Sequence, residues 1–170
     1  MRSVFPAVDA AGSASSVNSI REPYLRALTL VERSHRRLLD VIKEEFDRRG
    51  RTDINPVQAL MVYNIGDQQL CAGELRTRGY YVGTNVTYNL KKLVQLGLLE
   101  QQRSLIDRRS VHIKLTPKGR EVCQIVDALC LKHACTVEQA GGVNADELAT
   151  LNKLLHRLER FWTDQIVYQM

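Results

Sequence analysis

Little in this 170-residue sequence serves covalent chemistry. It has no H-E-x-x-H, no phosphate-cradling glycine loop and no nucleophile motif, and His35, His112, His133 and His156 are scattered. The common enzyme classes are therefore not expected, and no cofactor is implied. There is no C-x-x-C and no even spacing among Cys71, Cys123, Cys130 and Cys135, in a chain large enough not to need covalent staples. Reduced thiols and a cytoplasmic location are the expectation. No apolar run approaches the roughly 18 residues of a membrane span. The first twenty residues lack a continuous apolar stretch and carry Asp9, so no signal peptide is read there. Rich in Ser and Ala, residues 1–20 are expected to form a disordered tail.

A metal site is not expected either. Cys123, Cys130 and His133 fall near one helical face, but seven residues of helix separate the two thiols by about 10 Å of rise. Zinc ligands lie about 2.0–2.3 Å from the ion, so one helix cannot bring both to the same metal. A site shared across chains stays open. The thiols read more simply as buried small hydrophobes.

What the sequence does have is an uneven distribution of charge. The net charge is +5. Between residues 75 and 120 stand ten cations: Arg76, Arg78, Lys91, Lys92, Arg103, Arg108, Arg109, Lys114, Lys118 and Arg120. Only Glu100 and Asp107 oppose them, so this segment carries +8 and the rest of the chain −3. A basic segment on a slightly acidic body points to a polyanion met by one face. With 44% hydrophobic and 25% charged residues, the chain has the composition of one globular domain.

Most of that domain reads as helix. Over residues 22–49, Tyr24, Leu28, Val31, Leu38, Ile42 and Phe46 recur at three- and four-residue steps, with Leu25 and Leu39 widening the stripe. Pro23 is expected in the first turn and Gly50 at the stop. Asn55-Pro56 is a cap followed by proline, opening a second helix that Gly66 ends. Residues 69–71 are short and extended, and residues 72–78 give a third, short helix. Gly79 breaks it just before a fourth helix over residues 82–97. On this fourth helix Val86, Leu90, Leu93, Val94 and Leu96 share the apolar face. The opposite face shows Thr84, Asn85, Thr87, Tyr88, Lys91 and Lys92.

That second face has two readings. Small hydrogen-bonding side chains followed by lysines suit a helix whose first half enters a major groove while the cations neutralise phosphates. The plainer alternative is an amphipathic helix with an ordinary solvated face. Two short helices joined by a tight turn favour the former, because they make a helix-turn-helix. The following residues, 98–115, read as a β-hairpin with Val111, Ile113 and Leu115 inward and His112 and Lys114 outward. Its loop carries Asp107, Arg108 and Arg109. Thr116-Pro117 opens another helix, broken at Gly141-Gly142. Asn144, with Glu147 three residues on, caps the last. There Leu148, Leu151, Leu155, Leu158, Trp162 and Ile166 form a seam with no evident partner inside one chain, which suggests a dimer.

The run Leu90-Lys91-Lys92-Leu93-Val94-Gln95-Leu96-Gly97-Leu98-Leu99, then Asp107-Arg108-Arg109-Ser110, then Leu115-Thr116-Pro117-Lys118-Gly119 resembles the MarR-type winged-helix regulators. In these, a recognition helix ending L-x-x-x-G-L precedes a wing with a D-R-R core and a strand closing on L-T-x-x-G. The resemblance implies a mainly α fold with a small β-hairpin wing, a DNA-binding module over about 55–116, and dimerisation helices at 21–50 and 117–170. It implies a homodimer on a pseudo-palindromic double-stranded operator, with recognition through the face at residues 84–92. It further implies a wing arginine, Arg108 or Arg109, in the minor groove, oriented by Asp107. A small amphipathic or aromatic effector is implied too, with Tyr24, His35, Leu39, Tyr63 and Ile65 as candidate crevice residues. Two positions depart from the family pattern. Gly79 stands where an apolar residue is usual. Val82 stands where Ser or Thr usually caps the recognition helix, which moves the cap to Gly83 or Thr84. A winged-helix module that contacts an acidic protein surface, without reading DNA, is the alternative function.

Overall fold

The computed structural model describes residues 10–67, 70–71, 83–103 and 111–168, with side chains for residues 19–67, 70, 86–102 and 112–168. The elements are, in order, α1 (Ala10–Arg48), α2 (Pro56–Ile65), β1 (Leu70–Cys71), α3 (Gly83–Gln95), β2 (Leu99–Arg103), β3 (Val111–Leu115), α4 (Pro117–Gly141) and α5 (Ala145–Tyr168). The fold is mainly helical with a small antiparallel wing. The short helix expected at residues 72–78 lies outside the described residues, as does Gly79. The chain divides into two compact units, residues 1–60 and 61–170.

In the first unit, α1 starts earlier than its sequence pattern suggested. Residues 10–20, expected to be a disordered tail, form its opening turns, and Pro23 lies inside the helix instead of at its start. Alanines at positions 10, 11 and 14 favour helix. A proline costs most where its missing N–H and its ring break an established ladder, yet here the helix runs through it. The far end is as expected. Gly50 takes a left-handed conformation (φ 67°). The Arg51 amide then reaches back to the Phe46 carbonyl at 2.9 Å and the Gly50 amide to that of Asp47 at 3.0 Å, a Schellman stop. Ile42 and Phe46 near that end are buried, whereas Leu25, Leu30, Val31 and Leu38 further up the helix are exposed. At the start of α2, Asn55 and Gln58 cap each other. The Gln58 amide donates to Asn55 Oδ1 (2.9 Å) and the Asn55 amide to Gln58 Oε1 (3.2 Å).

The second unit is built around a three-stranded sheet of order β1-β3-β2, antiparallel throughout. Leu99 pairs with Leu115 and Arg103 with Val111. The inward face is apolar as the alternation requires, with Leu70, Leu99, Ile113 and Leu115 buried. Lys114 faces out and meets Glu100 across the pair at 3.1 Å. His112, also expected outward, is half-buried. Its Nδ1 is shielded from solvent and receives no hydrogen bond among the described residues. The reason is β1, which pairs with the far edge of β3 and puts His112 in mid-sheet between Cys71 and Gln102. Met61, Val62 and Ile65 of α2, Val86, Leu90 and Leu93 of α3, and Val122, Val126 and Leu129 of α4 complete the core of this unit.

The cysteines of α4 do not join that core. Cys123 is half-buried and Cys130 and Cys135 are exposed. Cys123 and Cys130 each lie one step round the helix from Val122 and Leu129, which with Val126 take the buried face, and Cys135 lies on the far side. The last helix begins at the expected box, with the Glu147 amide on Asn144 Oδ1 (3.0 Å) and the Asn144 amide on Glu147 Oε2 (2.9 Å). No residue of α5 is buried. Leu151, Leu155 and Ile166 of the expected seam are exposed, and so are Leu154, Phe161 and Tyr168 in a column beside it. Among the described residues no helix is long and apolar enough to cross a membrane.

Candidate nucleic-acid interface

Helix α3 keeps its two faces apart. Val86, Leu90 and Leu93 are buried, and Asn89 joins them at 9% exposure. Thr87, Tyr88, Lys91 and Lys92 are exposed, Tyr88 at 67%. Thr84 and Asn85 occupy the first turn, one turn ahead of Tyr88. From residue 84 to residue 92 the helix rises about 12 Å, close to the width of a B-DNA major groove. No acidic residue interrupts the helix. The two lysines stand toward its C-terminal end, where the helix dipole favours cations. The helix begins at Gly83, and Val82 lies outside the described residues.

The end of α3 is fixed by two sets of bonds. Gly97 is left-handed (φ 69°), its amide bonds Val94 at 2.9 Å, and the Leu98 amide bonds the Leu93 carbonyl at 2.9 Å. Leu93 and Leu98, both fully buried, supply the apolar contact that goes with such a stop. The next three carbonyls are then taken by residues just before and within the first turn of α4. Lys118 Nζ donates to Leu96 O at 3.2 Å and Thr116 Oγ1 to Gly97 O at 2.7 Å. The Thr116 amide donates to Leu98 O at 3.1 Å. Thr116 Oγ1 also accepts from the Gly119 amide (3.0 Å), so one hydroxyl caps α4 and holds the turn after α3. Gly119 is there because nothing larger fits: a Cβ on it would stand 2.1 Å from Leu98 O. The L-x-x-x-G-L and L-T-x-x-G pieces of the sequence are thus two halves of one clasp.

The wing is present as β2 and β3, while its tip, with Asp107, Arg108 and Arg109, falls in the segment 104–110 outside the described residues.

The candidate effector residues are dispersed. Tyr24 and Leu39 stand fifteen residues apart on α1, about 22 Å of rise, so this helix alone cannot place them in one crevice. Tyr24 and Leu39 are half-buried, His35 is exposed and Ile65 is fully buried. Leu39 lines a groove of about 390 Å³ with Arg33, Arg36, Arg37 and Asp40. Two of those arginines are already paired, Arg36 with Glu32 (3.5 Å) and Arg37 with Asp40 (3.1 Å). Tyr63 sits by α4. Burial, the neighbouring Cys130, Asp127 and Cys123, and a hydrogen bond with Cys130 raise its phenol above the ordinary value. Cys123 is raised by burial and then by Asp67 and Asp127. Among the described residues no three His, Cys, Asp or Glu side chains gather as a metal would need.

Sequence reasoning gave no role to Asn89, to the arginines of α1 or to Lys118. For Lys118 a signal existed, a cation in the first turn of a helix where the dipole opposes it.

Comparison with known proteins agrees with this geometry. Residues 54–119 match the winged helix DNA-binding domain family. The exopolysaccharide II synthesis transcriptional activator ExpG of Rhizobium meliloti is 33% identical over 145 residues, covering 85% of this chain and 74% of that protein. FabT of Streptococcus pneumoniae, solved in complex with DNA, superposes with a TM-score of 0.60 at 28% identity, covering 83% of this chain and 98% of that one. A mutant MarR from E. coli, solved with operator DNA, has the same fold at a TM-score of 0.61 and 21% identity, covering 89% and 99%. The first of these is a transcriptional activator, and the other two were solved bound to DNA. By its sequence identity to such a relative and by its winged-helix architecture, this chain belongs to the MarR family of winged-helix DNA-binding transcriptional regulators.

Proposed function

We propose that this protein is a homodimer that reads a pseudo-palindromic double-stranded operator, with α3 in the major groove and the wing tip in the adjacent minor groove. The observation that carries the reading is the acid-free column of Thr87, Tyr88, Lys91 and Lys92, exposed on a helix whose other face is locked into the core. Thr84, Asn85, Thr87 and Tyr88 read base edges, and Lys91 and Lys92 neutralise phosphates. Arg108 or Arg109 enters the minor groove, whose narrow and electronegative form suits a guanidinium, and Asp107 orients it. Residues 55–116 form the DNA-binding module, and residues 21–50 and 117–170 supply the dimer.

The dimer is supported by α5, which buries none of its own residues and leaves a broad apolar face uncovered. A dyad places two copies of α3 on successive grooves of one duplex. The regulator works in the cytoplasm, and a small amphipathic or aromatic effector modulates it. Candidates for contact are Tyr63, beside its two cysteines, and Leu39 in the arginine-rimmed groove, together with Tyr24 and His35.

Sequencing the genomic fragments that the protein retains, with sedimentation of the protein alone, tests this reading. The expected result is a recurrent motif with dyad symmetry and a dimeric species. A protein that retains no duplex above background has a different partner, and an acidic protein surface becomes the better reading.

A further inference from the structure

A lysine in the first turn of a helix stands at the wrong end of that helix's dipole. Lys118 is such a residue, at the second position of α4 behind Pro117. The first turn of α4 contains no carboxylate to offset it. Its ammonium instead lies 3.2 Å from Leu96 O, at the C-terminus of α3, where a cation is favoured. Through this bond Lys118 supports the helix that carries the exposed polar column.

This end of α3 is a pivot with leverage. Residue 84 lies twelve residues before Leu96, about 18 Å along the axis. A tilt of roughly 5° at the clasp moves that end by about 1.5 Å, more than the whole working range of a hydrogen-bond length. Thr116 and Gly119 tie the chain on either side of Lys118 to Gly97 and Leu98. Lys118 adds a tie to Leu96, nearest the helix itself.

We propose that Lys118 is a positioning residue for operator recognition: from α4 it holds the last turn of α3 and sets the angle at which the polar column meets the groove. The proposal rests on the reading of α3 as the recognition helix. It predicts that Lys118 touches no phosphate and acts on recognition through α3.

The test compares wild type, Lys118→Met and Lys118→Arg on two probes, a duplex enriched by wild type from a random-sequence library and an unrelated duplex. Lys118→Met should bind the enriched duplex about tenfold more weakly, the scale of one side chain no longer reading its base edge. Its affinity for the unrelated duplex, its salt slope and its melting temperature should stay at wild-type values. Lys118→Arg, which can still reach the carbonyl, should restore selectivity. An equal fall on both duplexes, with a salt slope shallower by about one unit, would make Lys118 a phosphate ligand and overturn the proposal. Retained selectivity in Lys118→Met overturns it as well, while leaving the recognition reading intact. A wild type that enriches no sequence removes the recognition reading and the proposal together.

Discussion

Replacing Gly119 by alanine sets two effects of opposite sign against each other, and the structure decides between them. Gly119 lies in the first turn of α4, and its φ is not in the left-handed region, so alanine can adopt the backbone. Helix propensity alone then favours Ala by about 1 kcal/mol. Against this, the new Cβ would sit 2.1 Å from Leu98 O and 3.1 Å from Leu98 C, both backbone atoms. Relief to an ordinary carbon–oxygen separation needs about 1 Å of movement between α4 and the turn after α3. Leu98 O accepts from the Thr116 amide (3.1 Å), and Thr116 Oγ1 lies 3.2 Å from it. A shift of that size forfeits bonds worth about 1 kcal/mol each and loosens Leu98 and Leu115, both buried. The expected sum is a net loss of about 2–4 kcal/mol. At about 2–4 °C per kcal/mol for a chain of this size, the melting temperature should fall by about 5–15 °C. Gly141 is the control: an added Cβ there meets only Val137 Cγ2 at 3.5 Å. Gly141→Ala should raise stability by about 0.5–1 kcal/mol. Thermal unfolding of the three proteins at one concentration is the assay. A Gly119→Ala variant as stable as wild type would refute the tight contact and with it the clasp.

Arg108→Ala or Arg109→Ala should weaken operator binding by about 1–3 kcal/mol with the dimer intact. Unchanged affinity in both, by gel shift, would remove the wing from recognition. Lys91→Ala should lower affinity for every duplex and flatten the salt slope by about one unit, and a slope that holds steady argues against a phosphate contact. Deleting residues 148–170 should yield monomers or insoluble protein, because the apolar face of α5 is then lost. A soluble dimer of that truncation, seen by sedimentation, would place the interface elsewhere. Tyr63 and Cys123 are raised above ordinary values of 10.0 and 9.0, so both hold their protons more tightly folded than unfolded. Their contribution is fully present below pH 9.0 and is lost as pH rises through the raised values. Urea unfolding should therefore show stability declining on the alkaline side, less steeply in Tyr63→Phe, and a flat profile would contradict the shifts.

The parts of this fold that were legible in the sequence are those written in adjacent residues. Asn55-Pro56, Thr116-Pro117 and Asn144 with Glu147 each mark a helix start that is closed by bonds within three residues. The two-residue alternation of β3 placed Ile113 and Leu115 correctly on the core side. It could not place His112, whose surroundings come from β1, some forty residues earlier in the chain. Pro23 misled in a similar way, since a residue tolerated best in a first turn was read as marking one. The polar face of α3 was readable because burial on one side leaves the rest exposed. The use of Lys118 was not, because its acceptor lies twenty-two residues away and no periodicity links the two.

Leu148, Leu158 and Trp162 are only half-buried and no residue of α5 is fully buried, so among the described residues tertiary packing, the usual source of helical stability in a protein, adds little to its backbone ladder. With the proposed dimer covering its apolar face, the order of α5 would depend on how much protein is present, rising by mass action as copies meet. A scarce, newly made subunit would be a substrate for proteases before it is a regulator, and its abundance would act as a threshold on the switch it operates.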